Sequence, residues 1–114
     1  MNQPDPPAEQ LDLPAGVQAE LLCSRRRCLL LVTLAETGPA TVDDLAVSIR
    51  AAERGIDPEQ VDDTERSSVR EEIFESHLPK LTATEIVEYD SQLGKVRLVE
   101  PAIVSRAREE RPVD

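Results

Sequence analysis

Apolar residues crowd one stretch of this chain and are spaced out along the rest. The first strong element runs from Val17 to Glu36, and between Cys28 and Ala35 almost every side chain is apolar. No single helical stripe explains that density. This helix is therefore expected to be buried on several sides, within its own domain or partly against a partner subunit. Ser24 supplies an N-cap ahead of Arg25-Arg26-Arg27, and Gly38-Pro39 stops the helix. Thr41 caps a second helix, with Asp44 placing a carboxylate in its first turn. Val42, Leu45, Ala46, Ile49 and Ala52 give that helix one narrow apolar face, and Gly55 stands where a C-terminal cap belongs.

An acidic loop centred on Asp57-Pro58 separates this pattern from a third helix, expected to begin near Asp62–Thr64 where Asp62 and Glu65 have capping-box spacing. Val69, Ile73, His77 and Leu81 mark its inner face, with Phe74 and Leu78 flanking. Pro79 lies inside this pattern and is expected to kink the helix or end its regular part. Ser68, Glu71, Glu72, Glu75 and Ser76 then face outward. Two β runs follow, Ile86 to Asp90 and Lys95 to Val99, each alternating apolar with polar. Gly94 sits where a left-handed hairpin residue is needed. Residues 1–16 contain four prolines and read as a disordered arm. Residues 17–99 form one domain. Residues 100–114 form a tail in which Ala102 to Glu109 can make a short helix between Pro101 and Pro112.

Composition narrows the class. At 114 residues the chain supports one domain with a modest core, and with 2% aromatics that core must be aliphatic. No apolar run approaches the roughly 18–20 residues of a membrane span, and the first residues lack a signal peptide's pattern, so a cytoplasmic location is expected. Net charge is −10, and of the 13 basic residues only Lys80 and Lys95 are lysines. An acidic, lysine-poor surface suits a protein that stays soluble in concentrated salt; an acidic protein from a GC-rich genome would look the same. Cys23 and Cys28 would point about 140° apart on a helix, and together with the single His77 they are too few for a structural zinc site. They are expected to be small buried apolar groups. No Gly-rich phosphate loop, nucleophile–base set or metal-ligand cluster is visible in the sequence, so neither catalysis nor a cofactor is expected.

Three helices followed by a hairpin is winged-helix order, giving an α+β, mostly α, fold. Gly38 to Ala46 looks like the start of a helix-turn-helix unit. His77-Leu78-Pro79-Lys80-Leu81 followed by Ile86-Val87-Glu88-Tyr89-Asp90 is similar to the recognition helix and first wing strand of arsenic-repressor-type regulators. The span from about Leu21 to Val99 resembles a haloarchaeal winged-helix family of unknown function, through the Ser24–Arg27 opening, the long acidic loop and the short wing. That resemblance implies a halophilic origin, a regulatory role on double-stranded DNA and a homodimer.

DNA binding requires cations at phosphates and side chains in a groove. The candidate contacts are Arg25, Arg26, Arg27, Arg66, Arg70, Lys80, Lys95 and Arg97. Against them stand the outward glutamates of the third helix and an acidic balance across residues 36–90. Arg25 to Arg27 can equally be a solvated first turn, and His77 a buried, hydrogen-bonded core residue. The competing reading is a winged-helix module that joins protein partners without DNA, suggested by those glutamates and by the over-apolar first helix. The arrangement of Arg25, Arg66, Arg70, Lys95 and Arg97 separates the two. One positive patch beside the third helix favours DNA, whereas carboxylates isolating each cation favour a protein partner.

Overall fold

Ser24, Thr41 and Asp62 each stand at a helix start with a side chain that can accept a backbone N–H, and each does so. A computed structural model describes residues 13–110. Ser24 Oγ accepts from Arg27 N at 3.2 Å, Thr41 Oγ1 from Asp44 N at 3.0 Å, and Asp62 Oδ1 from Glu65 N at 2.8 Å. These caps open α2 (Arg25–Thr37), α3 (Val42–Arg54) and α4 (Asp63–Glu72). Replacing Ser24 with alanine should cost about 1 kcal/mol of stability, read as a lower chemical-denaturation midpoint; an unchanged midpoint would deny the cap its role.

The region expected as one element is broken: α1 (Ala15–Leu21) ends before Ser24, and the chain turns before α2 begins. Cys23 falls in that turn and is exposed, while Cys28 is buried, so the expectation of two buried cysteines holds for one. The arm assigned to residues 1–16 lies outside the described residues up to residue 12, and Ala15 and Gly16 are already helical.

A short strand, β1 (Ala40–Thr41), precedes α3. Gly55 closes α3 with φ 67° and ψ 37°, left-handed values that a residue with a Cβ adopts only with strain. A 3₁₀ turn at Pro58–Gln60 occupies the acidic loop. After α4 come a π turn at Ile73–His77 and α5 (Leu78–Ala83), so the expected disturbance before Pro79 takes the form of a wider turn within a continuing helix. The hairpin follows as β2 (Val87–Asp90) and β3 (Lys95–Leu98), with Gly94 at φ 67° in the connection. β3 pairs antiparallel with both neighbours, giving the order β1-β3-β2 with Ala40 opposite Val96 and Tyr89 opposite Val96. Finally α6 (Ile103–Glu110) forms where a short helix was expected; the Pro112 end of that expectation lies outside the described residues.

The fold is α+β, mostly helical, with the helix–strand–helix–helix–hairpin order of a winged helix. Its core is aliphatic: Leu30, Leu31, Leu45, Ile49, Ile73, Leu81 and Ile103 are all fully buried. The density of apolar residues on α2 is explained inside the chain, because α2 packs against α3, β3 and α6. On α3 the inner face includes Ala51 rather than Ala52, which is exposed. α3 touches both α2 and α4, so its buried arc is wider than a single stripe and swings toward Ala51. Among the described residues no helix is long and apolar enough to cross a membrane.

Candidate nucleic-acid interface

The capping box at Asp62 and Glu65 fixes where α4 starts and hence which side chains it shows to solvent. Ser68, Glu71, Glu75 and Ser76 are exposed as expected. Glu72 is only partly exposed, and its carboxylate is already engaged by Arg26 and His77. The outer face therefore carries two free glutamates rather than three.

Arg66 and Arg70 stand one turn apart on the same side of α4. Arg66 pairs with Asp63 at 3.0 Å. Arg70 Nε meets Asp43 Oδ1, in the first turn of α3, at 3.0 Å. The Arg70 guanidinium lies 5.0 Å above the Phe74 ring, and Phe74 meets Tyr89 of β2 edge-on at 5.8 Å between centroids. Thr41, Val42, Asp43, Arg70, Phe74, Tyr89, Leu93 and Gly94 line a cleft of about 230 Å³ between helix and wing. Asp43, Phe74 and Tyr89 escaped the sequence reading as site residues. The i, i+4 spacing of Arg70 and Phe74 was a usable signal, but their meeting with Asp43 and Tyr89 is tertiary.

At the wing tip Asp90 Oδ1 accepts from the N–H groups of Gln92 and Leu93, which presents Leu93 at 65% exposure. Lys95 is exposed and makes no ion pair among the described residues. Arg97 pairs with Glu88 directly across the hairpin. A shallow groove of about 530 Å³, lined by Tyr89, Leu93, Lys95 and Arg97 among others, adjoins the helix–wing cleft.

The arginine triplet divides. Arg25 is exposed. Arg26 donates Nε and Nη2 to Glu53 and Nη1 to Glu72, and its attachment to Glu53 raises its pKa further. Burial would push the Glu53 carboxyl upward, but Arg26 and Arg50 outweigh it and hold the group below its ordinary value. The chain of ion pairs continues through Arg50 to Glu65 and Arg54. Glu65 is also held below the ordinary range, first by the backbone N–H of Asp62.

Arg27 is 5% exposed. Its Nη1 donates to the carbonyls of Glu20 and Leu21, at the C-terminal end of α1, at 3.0 and 2.9 Å. Its Nε donates to His77 Nδ1 at 3.2 Å. A guanidinium only donates, so Nδ1 accepts and the ring proton sits on Nε2, which donates to Glu72 Oε2 at 2.9 Å. Burial pushes the His77 pKa down despite the Glu72 carboxylate. His77 is thus a neutral, hydrogen-bonded core residue.

Of the sequence candidates, then, Arg70 lines the helix–wing cleft with Arg66 one turn before it on α4, whereas Lys95 and Arg97 line the groove on the outer face of the wing. Arg26 and Arg27 are tied into the interior and cannot serve as phosphate contacts without dismantling the network. Lys80, on α5, pairs with Glu20 of α1 at 2.6 Å, away from the wing. Among the described residues no group of His, Cys, Asp and Glu is arranged to hold a metal ion.

No curated protein and no solved structure matches the chain. Residues 19–97, from within α1 to within β3, match the family model described as Domain of unknown function (DUF7344). That span is well over half of the sequence and contains the helix–wing face entire, and the chain belongs to this family of unknown function.

Proposed function

We propose that the chain is a DNA-binding transcriptional regulator of winged helix-turn-helix type, acting as a homodimer in concentrated salt. The observation that carries this reading is the helix–wing arrangement itself: α4 stands exposed beside the hairpin with Arg66 and Arg70 on it, while Lys95 and Arg97 stand on the other face of the wing. In winged-helix geometry that helix enters the major groove while flanking cations contact phosphates. The cations are paired with Asp63, Asp43 and Glu88, all well exposed. Surface pairs of this kind are worth about 0–1 kcal/mol each, so phosphates can replace the carboxylates at little cost. At about 1 M salt the Debye length is roughly 3 Å, which screens Glu71, Glu75 and the net charge of −10 from the duplex.

The same salt weakens counterion release, so affinity must come largely from groove contacts. A retarded band in molar KCl with the DNA upstream of its own gene is the expected result. Absence of any shift across 0.1–3 M KCl, taken as about that range to span weak and strong screening, would overturn the proposal. A second reading, a module that binds a protein and not DNA, is favoured by one observation: each of Arg66, Arg70 and Arg97 already has a carboxylate beside it. The surplus of apolar residues on α2 no longer supports that reading, since α6 covers it.

A further inference from the structure

We infer that Arg70 is the residue that reads a base, specifically a guanine edge, while Lys95 anchors the backbone. This inference rests on the DNA-binding reading above and deepens it.

The cations of α4 and the wing differ in how they are held. Arg66 pairs within its own helix turn, and Arg97 pairs across its own hairpin. Arg70 is held from two directions by other parts of the fold. Phe74 lies beneath its guanidinium, itself edge-on to Tyr89 of the wing, and the Asp43 carboxylate of α3 forms an ion pair with it 3.0 Å from Nε. About half of the Arg70 side chain stays exposed beyond these contacts, and it lines the helix–wing cleft.

Two parallel N–H groups on a fixed plane are what the O6 and N7 acceptors of guanine require in the major groove. A flexible arginine must lose its rotamer freedom when it docks, and Arg70 has lost much of it beforehand. Lys95 is a different kind of group. It is an exposed point charge on the wing with no ion pair among the described residues, suited to a phosphate and unsuited to bidentate reading.

The charge environment sharpens the assignment. Glu71, next to Arg70 on α4, and Glu75, in the π turn beyond it, are both exposed. Carboxylates repel phosphates but accept from the amino groups of cytosine, so this face favours a base-edge contact over a backbone contact.

The test is selection of binding sites from a randomised duplex pool in molar KCl, using the full chain and its Arg70→Lys, Arg70→Ala and Lys95→Gln variants. Arg70 is about half exposed, and circular dichroism melting confirms that each variant folds. The wild type is expected to enrich a guanine at one position, with about ten- to hundredfold preference over other bases there. Arg70→Lys should keep most of the affinity yet lose that preference, and Arg70→Ala should lose both. Lys95→Gln should weaken all sequences alike and reduce the salt slope by about one. An Arg70→Lys variant that still enriches the same guanine overturns the inference while leaving the DNA-binding reading intact. So does an Arg70→Ala variant that weakens all sequences equally with a reduced salt slope. A wild type that enriches nothing and retains no duplex overturns both.

Discussion

Replacing Arg27 with methionine is expected to lower the unfolding free energy by about 3–5 kcal/mol, a large part of what a domain of this size commonly has. Methionine matches the stem of Arg27 in volume, so packing changes little and the loss is polar. Two buried acceptors, His77 Nδ1 and the Leu21 carbonyl, lose this donor together, and the partly buried Glu20 carbonyl keeps only a long bond from Cys23 N–H. Arg27 joins α1, α2 and the π turn before α5 at one point, so its removal acts on three elements at once. Lysine should recover only part of the loss, because a single ammonium cannot span acceptors that the guanidinium reaches on two sides. A double variant, Arg27→Met with His77→Leu, should be less destabilised than the sum of its single changes, since the second change removes an acceptor the first left stranded. Denaturant titration in concentrated KCl measures each step. An Arg27→Met protein within 1 kcal/mol of the wild type, a threshold of about one ordinary hydrogen bond, would show the anchor to be unimportant.

Acid should weaken the same anchor before it touches any carboxylate. His77 is neutral in the folded chain and its pKa is pushed below the ordinary 6.5, chiefly by burial, with Arg27 adding to the effect. Glu72 pulls the other way through its bond to Nε2, and the nearby Arg26 again disfavours a second proton. Below pH 6.5 the unfolded chain gains a proton at this histidine that the folded chain does not. The unfolded state then binds more protons, so stability rises with pH and falls as the medium is acidified. The expected slope is about 1.4 kcal/mol per pH unit, beginning below about pH 6.5 and ending at the folded-state pKa. His77 is the only histidine in the sequence, so a slope between about pH 6.5 and 5 can be assigned to it. His77→Gln keeps one acceptor and one donor without a titratable ring, and its profile should be flat across that window. A wild-type profile as flat as the variant's would contradict the buried neutral assignment.

Local chemistry made most of the elements legible from the sequence. Thr41 with Asp44, Asp62 with Glu65, Gly55 and Gly94 each announce their turn or cap within four residues, and each sits where that pattern puts it. The face of Val69, Ile73, His77 and Leu81 was equally readable, because burial follows a regular spacing. What the sequence hid depends on partners far along the chain. Arg27 looks like one of three solvated arginines until His77, fifty positions away, comes beside it. Glu72 looks outward until Arg26 and His77 claim it. β1 is two residues long, too short for any alternation to show, and exists through its pairing with β3. In the same way Arg70 was readable as a basic residue on the third helix, but not as one clamped between Phe74 and Asp43.

Residues four apart advance about 400° around an α-helix, so each step drifts by about 40°. On a straight helix Val69, Ile73, His77 and Leu81 would fan over about 120°, yet all four are buried. The turn at Ile73–His77 absorbs that drift by carrying one residue more than a regular turn, with Leu78 N–H reaching back to Ile73 O. It works as a phase shifter between two halves with different obligations. α4 is timed to α3, whereas α5 is timed to β2 and α1. Deleting one residue here would splice the halves into a uniform helix and rotate one against the other by about 100°. Leu81 and Arg70 could then no longer both keep their places: seating the first in the core would turn the second away from the cleft. Spacing at this turn is therefore as much a part of the specification as any side chain, and a substitution scan alone would never reveal it.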